Sequence, residues 1–279
     1  MLDLTIAIPV KNEEANLPAC LRAIGNDFTR EVVVIDSGST DKTKSVAAQF
    51  GIPVIDFQWN GRFPKKRNWY LREHTPTTKW ILFLDADEIL TESVRGELRE
   101  TLPKSQKVGY WLNYTIYFLG KPLKGGYPLR KLALFQVGAG EYERIEEDEW
   151  SHLDMEIHEH PVLNGPVGTI RSRIDHRDLR GAEAWARKHV AYASWEARRY
   201  LSCVRDPQVR RSWTPVQRIK YGLMDTPFIG PAFFFGCFLL MGGFRDGLRG
   251  LAWAQLKAGY FTQVYARIQE EKRTCEKQL

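Results

Sequence analysis

The first ninety residues alternate short apolar runs with amphipathic stretches, and this rhythm constrains the fold more than any other feature of the chain. Residues 4–9 form a brief apolar run. Residues 13–24 then place Leu17, Cys20, Leu21 and Ile24 at helical spacing. Residues 31–36 are rich in Val and Ile and read as a strand. Ser39, Thr40 and Asp41 offer N-caps for a helix reaching Phe50. A third strand is expected at 53–57, a helix at 65–73 and a further strand at 79–85. Strands alternating with helices in this way predict a parallel sheet with helices on both faces.

Beyond residue 90 the pattern loosens. A helix is expected over 92–101. Strands are expected over 108–119 and 129–137, joined by a turn holding Gly120, Pro122, Gly125, Gly126 and Pro128. Residues 141–149 are acidic and read as an exposed loop. Strands at 155–163 and 167–174 flank the turn Asn164-Gly165-Pro166. Helices follow over 182–203 and 213–224. Residues 228–244 are nearly all apolar, and 17 positions at about 1.5 Å each fall short of a hydrocarbon core of roughly 30 Å. Gly230, Pro231, Gly236, Gly242 and Gly243 interrupt the run, so a bent segment lying on or partly in a membrane surface is expected. The last helix carries Leu251, Ala254, Ala258, Phe261, Tyr265 and Ile268 at three-four spacing.

Chemistry concentrates where the predicted strands end. Asp85 and Asp87 close the apolar run Trp80-Ile81-Leu82-Phe83-Leu84. Ligands of open α/β sheets bind at the carboxyl ends of strands. Two acids one residue apart suit Mg²⁺ or Mn²⁺ gripping a diphosphate, although such acids also serve as caps and turns. The first strand ends in Pro9-Val10-Lys11-Asn12-Glu13-Glu14 and the second in Asp36-Ser37-Gly38-Ser39-Thr40-Asp41. Each precedes a helix N-terminus, where backbone N–H groups favour anions. Asp36 can accept a hydrogen bond from the imide N–H of uracil, while Asn12, Ser39 and Asp41 can equally be N-caps. Lys65-Lys66-Arg67-Asn68 is either a solvated face or a contact for a base or diphosphate. His158 and His160 would share one face of a strand, but zinc would want more ligands than this pair.

Charge is unevenly spread. Residues 177–279 hold 18 Lys/Arg against 9 Asp/Glu, whereas residues 1–176 hold 22 against 25. The basic third is mixed with Trp, Phe and Tyr, a combination attracted to nucleic acid or to anionic lipid. The cations around the apolar run, Arg210, Arg211, Arg218, Arg245 and Arg249, match an interfacial anchor on an anionic leaflet. Cys20, Cys203, Cys237 and Cys275 are far apart without metal-ligand spacing, which predicts reduced thiols and a cytosolic setting. The first ten residues read as a strand rather than as a signal peptide.

Taken in order, "PVKNEEANL", "VVVIDSGSTDKT", "FPKKRNWYL" and "WILFLDADE" resemble the family 2 glycosyltransferases of GT-A fold, densely over residues 4–90. "GKPLKGGYP", "LALF", "IHEHPVLNGPVG" and "FLLMGGFRDGLRGLAWA" resemble, more loosely, the lipopolysaccharide-core β-glucosyltransferase type. The resemblance implies a Rossmann-like mixed sheet with helices on both faces over residues 1–176, and a helical extension, peripheral at the inner membrane face, over 177–279. It implies a hexose transferred, with inversion, from a nucleotide sugar (UDP-linked) to a glycan or lipid-linked glycan. Pro9, Glu13 and Asp36 would line the nucleoside pocket and Arg67 would lie near base and diphosphate. Asp85 would contact ribose or metal-bound water and Asp87 would hold the metal, with His176 as a further ligand. Glu159 would be the general base, and Asp154 the alternative. Relatives often carry Leu-Arg-Leu-Phe where this chain has Leu132-Ala133-Leu134-Phe135, so Arg130 or Lys131 would have to replace that arginine at the donor phosphates.

Three rivals stand beside this reading. A nucleotidyltransferase would share the sheet and acid pair but usually opens with a Gly-rich loop where Pro9-Val10-Lys11-Asn12-Glu13 stands. A nucleic-acid-binding protein would explain Arg205, Arg210 and Arg211 but not Asp85 and Asp87. An inactive scaffold would have no need of Asp85, Asp87 and Glu159.

Overall fold

The computed structural model describes residues 1–145, 147, 150–151, 153–154 and 160–276. The chain divides into two compact units. One comprises Met1–Tyr117 and Pro128–Leu179, the other Phe118–Tyr127 and Arg180–Leu279. Phe118–Tyr127, which the sequence reading grouped with the first part, belongs to the second unit.

The first unit is built on a mixed sheet. Strands β1 (Leu2–Val10), β2 (Thr29–Asp36), β3 (Val54–Asp56) and β4 (Trp80–Phe83) form its parallel half in the order β3-β2-β1-β4. Every residue of β1 except Asp3 is buried, as befits a central parallel strand covered on both faces. Next come β5 (Glu88–Ile89), β6 (Gly109–Phe118), β7 (Lys121–Pro122, in the second unit at Phe118–Tyr127), β8 (Arg130–Gln136), β9 (Gly140–Tyr142), β10 (Pro161–Leu163) and β11 (Val167–His176). Beyond β4 the order runs β8-β6-β11-β5, with β8 antiparallel to both β4 and β6 and β5 antiparallel to β11. A short connection between β6 and β8 leaves no room for a crossover helix, so those strands pair antiparallel. β9 and β10 form a separate two-stranded ribbon. The sheet is mixed overall, parallel over its first four strands and again where β11 pairs with β6.

Helices α1 (Leu17–Ile24), α2 (Thr43–Gln49), α3 (Lys66–Glu73) and α4 (Glu92–Thr101) complete this unit. α1 buries Leu17, Cys20, Leu21 and Ile24, and α4 buries Val94 and Leu98, on one side of the sheet with Leu4, Ile6, Ile8 and Leu82. Tyr70 of α3 packs on the other side with Ala7, Val33, Phe83 and Phe135. α3 is not an ordinary amphipathic helix, because its buried residues are Lys66, Arg67, Asn68 and Tyr70. Burying three polar side chains at a helix start breaks the pattern that folding alone would select, and such breaks mark functional sites.

The second unit is helical. It contains α5 (Gly181–Arg205), α6 (Pro207–Ser212), α7 (Pro215–Met224), α8 (Ile229–Phe235) and α9 (Leu248–Glu276). Ala193, Ala197, Tyr200, Met224, Ile229, Phe261, Val264 and Ile268 form its core. α7 opens with a capping box, in which Thr214 Oγ1 accepts from the Gln217 N–H (3.2 Å) and the Gln217 side chain accepts from the Thr214 N–H (2.9 Å). The apolar run 228–244 is broken as its glycines suggest. α8 gives way to a π-type turn at Gly236–Leu240 and a 3₁₀ turn at Gly243–Asp246. A β-carbon on Gly250 would lie 1.9 Å from the Gly243 carbonyl oxygen, so only glycine permits α9 to start against that turn. Among the described residues no helix is long and apolar enough to cross a membrane.

Candidate active site

The carboxyl ends of β1, β2 and β4 meet at one edge of the first unit's sheet. Val10 pairs with Asp36 and Ala7 with Phe83, so the segments after these strands leave side by side. The segments after β1 and β2 are stitched together by side chains. Asn12, in the left-handed region at φ 56°, accepts from the Thr40 N–H at 2.8 Å, and its own N–H donates to Ser39 Oγ at 2.8 Å. The Glu13 N–H donates to Thr43 Oγ1 (2.8 Å) and the Glu14 N–H to Asp41 (3.1 Å). Asn12 and Ser39 therefore bind loop to loop rather than capping a helix, whereas Asp41 also accepts from the Thr43 N–H (2.9 Å) at the start of α2. Asp36 is fully buried and accepts from the Gly38 and Ser39 N–H groups (3.2 and 3.0 Å), so it holds its own turn. Pro9 is buried within β1, and Glu13 accepts from Asn16 Nδ2 at 2.8 Å.

The start of α3 plugs into this edge. Lys66, 2% exposed, donates from Nζ to the Val10 carbonyl (3.0 Å) and Ser37 Oγ (2.7 Å), and lies 3.4 Å from Asp154 Oδ2. Burial pulls the Lys66 ammonium below its ordinary pKa, with Asp154 opposing. Burial would raise the Asp154 carboxyl, but the Lys66 ammonium, the Ser37 hydroxyl and Lys11 outweigh it and hold the group below the usual carboxylate range. One buried lysine thus ties both strand ends to the segment around residue 154. Asn68 fixes the helix from its far side, its amide both donating to and accepting from the Tyr142 backbone at 2.9 Å.

The acid edge follows β4. The turn Asp85–Glu88 closes on itself, the Glu88 N–H donating to the Asp85 carbonyl (2.9 Å) and the Asp85 N–H to Glu88 Oε2 (3.1 Å). Asp85 takes Arg67 Nη2 on one oxygen at 2.9 Å and Lys131 Nζ on the other at 2.5 Å. Lys131 also reaches Glu88 Oε1 at 2.5 Å. Glu88 is fully buried, and burial pushes its carboxyl up to about 7 against the pull of Lys131. β5 pairs Glu88 with His176 of β11, which brings His176 Nε2 to 3.6 Å from Asp87 Oδ2. The backbone seals this corner, the Arg177 N–H donating to the Asp87 carbonyl at 2.7 Å.

These placements revise the expected metal set. Asp85, Asp87 and His176 do not converge, because the Asp85 carboxylate turns to Arg67 and Lys131. Among the described residues no group of three or more His, Cys, Asp or Glu side chains is arranged to hold a metal ion. Asp87 and His176 do face each other. Ligands of a small divalent ion lie about 2.1 Å from it, so a pair 3.6 Å apart can share one ion whose other positions go to water or phosphate oxygens. Arg130 does not join the acids. Its guanidinium lies 5.5 Å over Trp111 and 3.3 Å from Thr169 Oγ1, because strand alternation turns residues 130 and 131 to opposite faces. Lys131 occupies the position the sequence left open between the two. Glu159 and His158 lie outside the described residues, while His160 packs edge-on to Trp111. Glu88 is the member of the cluster that sequence reasoning missed. Its signal was the third acid in "DADE", three positions after Asp85.

With the geometry in view, comparison with known proteins is informative. The Glycosyl transferase family 2 model matches residues 5–148, just over half of the chain. The lipopolysaccharide core biosynthesis glycosyltransferase LpsC of Rhizobium meliloti is 28% identical over 281 aligned positions, covering 96% of this chain and 92% of that protein. A TPR repeat-containing protein of Synechococcus elongatus is 32% identical over 110 residues, but the chain covers only 27% of its length. The solved mannosyltransferase PcManGT of Pyrobaculum calidifontis, in complex with GDP-Man and Mn²⁺, superposes with a TM-score of 0.52 at 17% identity, over 97% of this chain and 88% of that one. That likeness concerns the fold, which is GT-A. A family match that begins in β1 and runs past the basic helix, the acid pair and Lys131 makes this chain a member of glycosyl transferase family 2.

Proposed function

We propose that this glycosyltransferase moves a hexose from a UDP-sugar to a glycan or lipid-linked glycan of the cell envelope, with Mg²⁺ or Mn²⁺ held by Asp87 and His176. The observation that carries the reading is the Asp87–His176 pair, placed beside a clamped Asp85 at the edge where β1 and β2 also end. When bound, the ion would offset the charge developing on the departing nucleoside diphosphate. Arg67 and Lys131 hold Asp85 in one orientation, from which it would meet the ribose. Asp36, held by its own turn, would meet the base beside Pro9 and Glu13. The acceptor hydroxyl must lose a proton as it attacks. Asp154 suits that task poorly, since an ion-paired carboxylate held below its usual range is a weak base. Glu159 is therefore the base in this proposal, and a single displacement with inversion is the reaction.

The acceptor side rests on the full-length likeness to LpsC and on the second unit's surface. Phe235, Leu239, Leu240, Met241, Phe244 and Leu248 are all exposed, Leu240 at 87% and Leu248 at 83%. They crowd one stretch of sequence that also carries Arg245 and Arg249. An apolar face with adjacent cations fits an anionic lipid surface, where a lipid-linked acceptor is found.

The test is isothermal titration of the full chain with UDP and with GDP, each with and without Mn²⁺. Metal-dependent UDP binding is expected. Preference for GDP would replace the donor while keeping the reaction class, and binding of neither nucleotide would overturn the donor reading.

A further inference from the structure

The second unit holds a cavity of about 630 Å³ between the end of α5 and the pair α6–α7. Tyr200, Trp213 and Tyr221 wall it, and Arg210, Arg211 and Arg218 line it. The aromatic wall is continuous, with ring centroids 4.5 Å apart for Trp213–Tyr221 and 6.1 Å for Tyr200–Tyr221. The capping box of Thr214 and Gln217 fixes the corner between the helices, so the arginines are presented from a defined turn.

These three arginines share one cavity and lack counter-charge within the chain's described residues. Five other cations of this unit are paired: Arg187 with Glu183, Arg198 with Glu271, Lys220 with Glu196, Arg249 with Asp246 and Lys272 with Asp225. Among the described residues Arg210, Arg211 and Arg218 have no carboxylate within ion-pair distance. Three guanidiniums gathered on a concave surface repel one another, and a bound anion would relieve this. Guanidinium forks match phosphate oxygens two at a time. Flat aromatic walls suit a ring carried on that phosphate, since sugars and bases both pack on such faces.

We propose that this cavity is a binding site for a phosphate- or diphosphate-bearing group, recognised by Arg210, Arg211 and Arg218 against the Trp213–Tyr221 wall. The site stands on the second unit's own geometry and does not depend on the donor reading. Its ligand is either a phosphate borne on a lipid headgroup or a soluble phosphate ester, and both present the same chemistry to the arginines.

The test titrates the full chain with inorganic pyrophosphate in the presence of EDTA, so that no metal assists binding at the donor site. Wild type should bind, and Asp87→Ala should bind equally well. Arg211→Gln and Arg218→Gln should each weaken binding by about tenfold, the loss expected for one charge-assisted contact. Arg187→Gln, which removes an already paired arginine, should leave it unchanged. No binding to wild type, equal binding by the Arg211 and Arg218 variants, or loss in Asp87→Ala would each overturn the proposal. Flotation with phosphatidylcholine vesicles, with and without phosphatidylglycerol, then separates the sources. If the Arg211→Gln/Arg218→Gln pair also loses vesicle binding, the phosphate is lipid-borne. If it loses pyrophosphate alone, the ligand is soluble.

Discussion

At the carboxyl edge of the first unit's sheet, Asp85 and Glu88 share Lys131 while Asp85 also takes Arg67. Along α6 and α7 of the second unit, three arginines face a cavity with no carboxylate among the described residues. The first arrangement is closed, because each charge is held by another group of the same chain and the geometry is set before any ligand arrives. The second is open, because its charge is balanced only from outside. A closed network positions a group for chemistry, whereas an open one recognises something. The two regions should therefore respond differently to substitution. Changes to the ion-paired groups of the closed edge should cost turnover and stability together, and changes at the open surface should cost binding alone.

The sharpest test of the closed edge is Asp87→Ala. Loss of the group proposed to hold the ion should lower metal-dependent donor turnover by on the order of a thousandfold. Circular dichroism should stay native, since among the described residues no Lys or Arg is ion-paired with Asp87. Turnover like that of wild type would remove Asp87 from the site. Glu159→Gln should act on a different step, keeping UDP affinity while abolishing transfer. Undiminished transfer there would move the base elsewhere.

Lys131→Met tests whether the edge is held from within. Removing one partner of a buried pair leaves an uncompensated charge, and the expected loss is about 3 kcal/mol by denaturant titration. Adding Glu88→Gln should restore part of that stability, because the amide no longer needs the ammonium. Additive losses in the double variant would mean that the two side chains are not coupled.

How much of this was readable beforehand follows from where each signal lies along the chain. β1 and β4 were legible because strands buried on both faces appear as continuous apolar runs. Asp85 and Asp87 were legible because they end such a run. β5 was not, since two residues carry no period and Glu88–Ile89 pairs only because β11 comes alongside. The choice between Arg130 and Lys131 depended on strand parity, which cannot be fixed from sequence across the register shift between Tyr110 and Trp111. The burial of Lys66 was hidden because its partners at Val10, Ser37 and Asp154 are 56, 29 and 88 positions away. In the second unit the basic excess was plain from composition. Its gathering around one cavity depends on the turn at Thr214, whose capping box with Gln217 was in the sequence but not read.

On the open side, Leu240→Ser with Leu248→Ser should weaken flotation with anionic vesicles by about tenfold, from lost apolar contact. UDP affinity should not change. If vesicle binding persists undiminished, the exposed apolar face is not the lipid contact.

The smallest effect expected comes from a cation that belongs to neither class. Lys257 on α9 lies 5.1 Å from the Trp253 ring and 5.6 Å from the Trp185 ring, and has no carboxylate partner among the described residues. Burial lowers its ammonium from the ordinary 10.5 to about 8, with Cys237 opposing. A folded-state pKa below the unfolded one means that the folded chain binds fewer protons. Stability from this group is thus fully present above about 10.5 and is lost as pH falls through about 8. At neutral pH the buried ammonium is a net cost. Lys257→Met keeps the stem and removes the charge, so it should raise the thermal midpoint at pH 7 by about 2–4 °C for each kcal/mol relieved. It should also flatten the rise in stability expected of wild type between pH 8 and 10.5. A lower midpoint would show instead that the two tryptophan faces stabilise the cation by more than its burial costs, and would place Lys257 with the closed, internally satisfied charges of the acid edge.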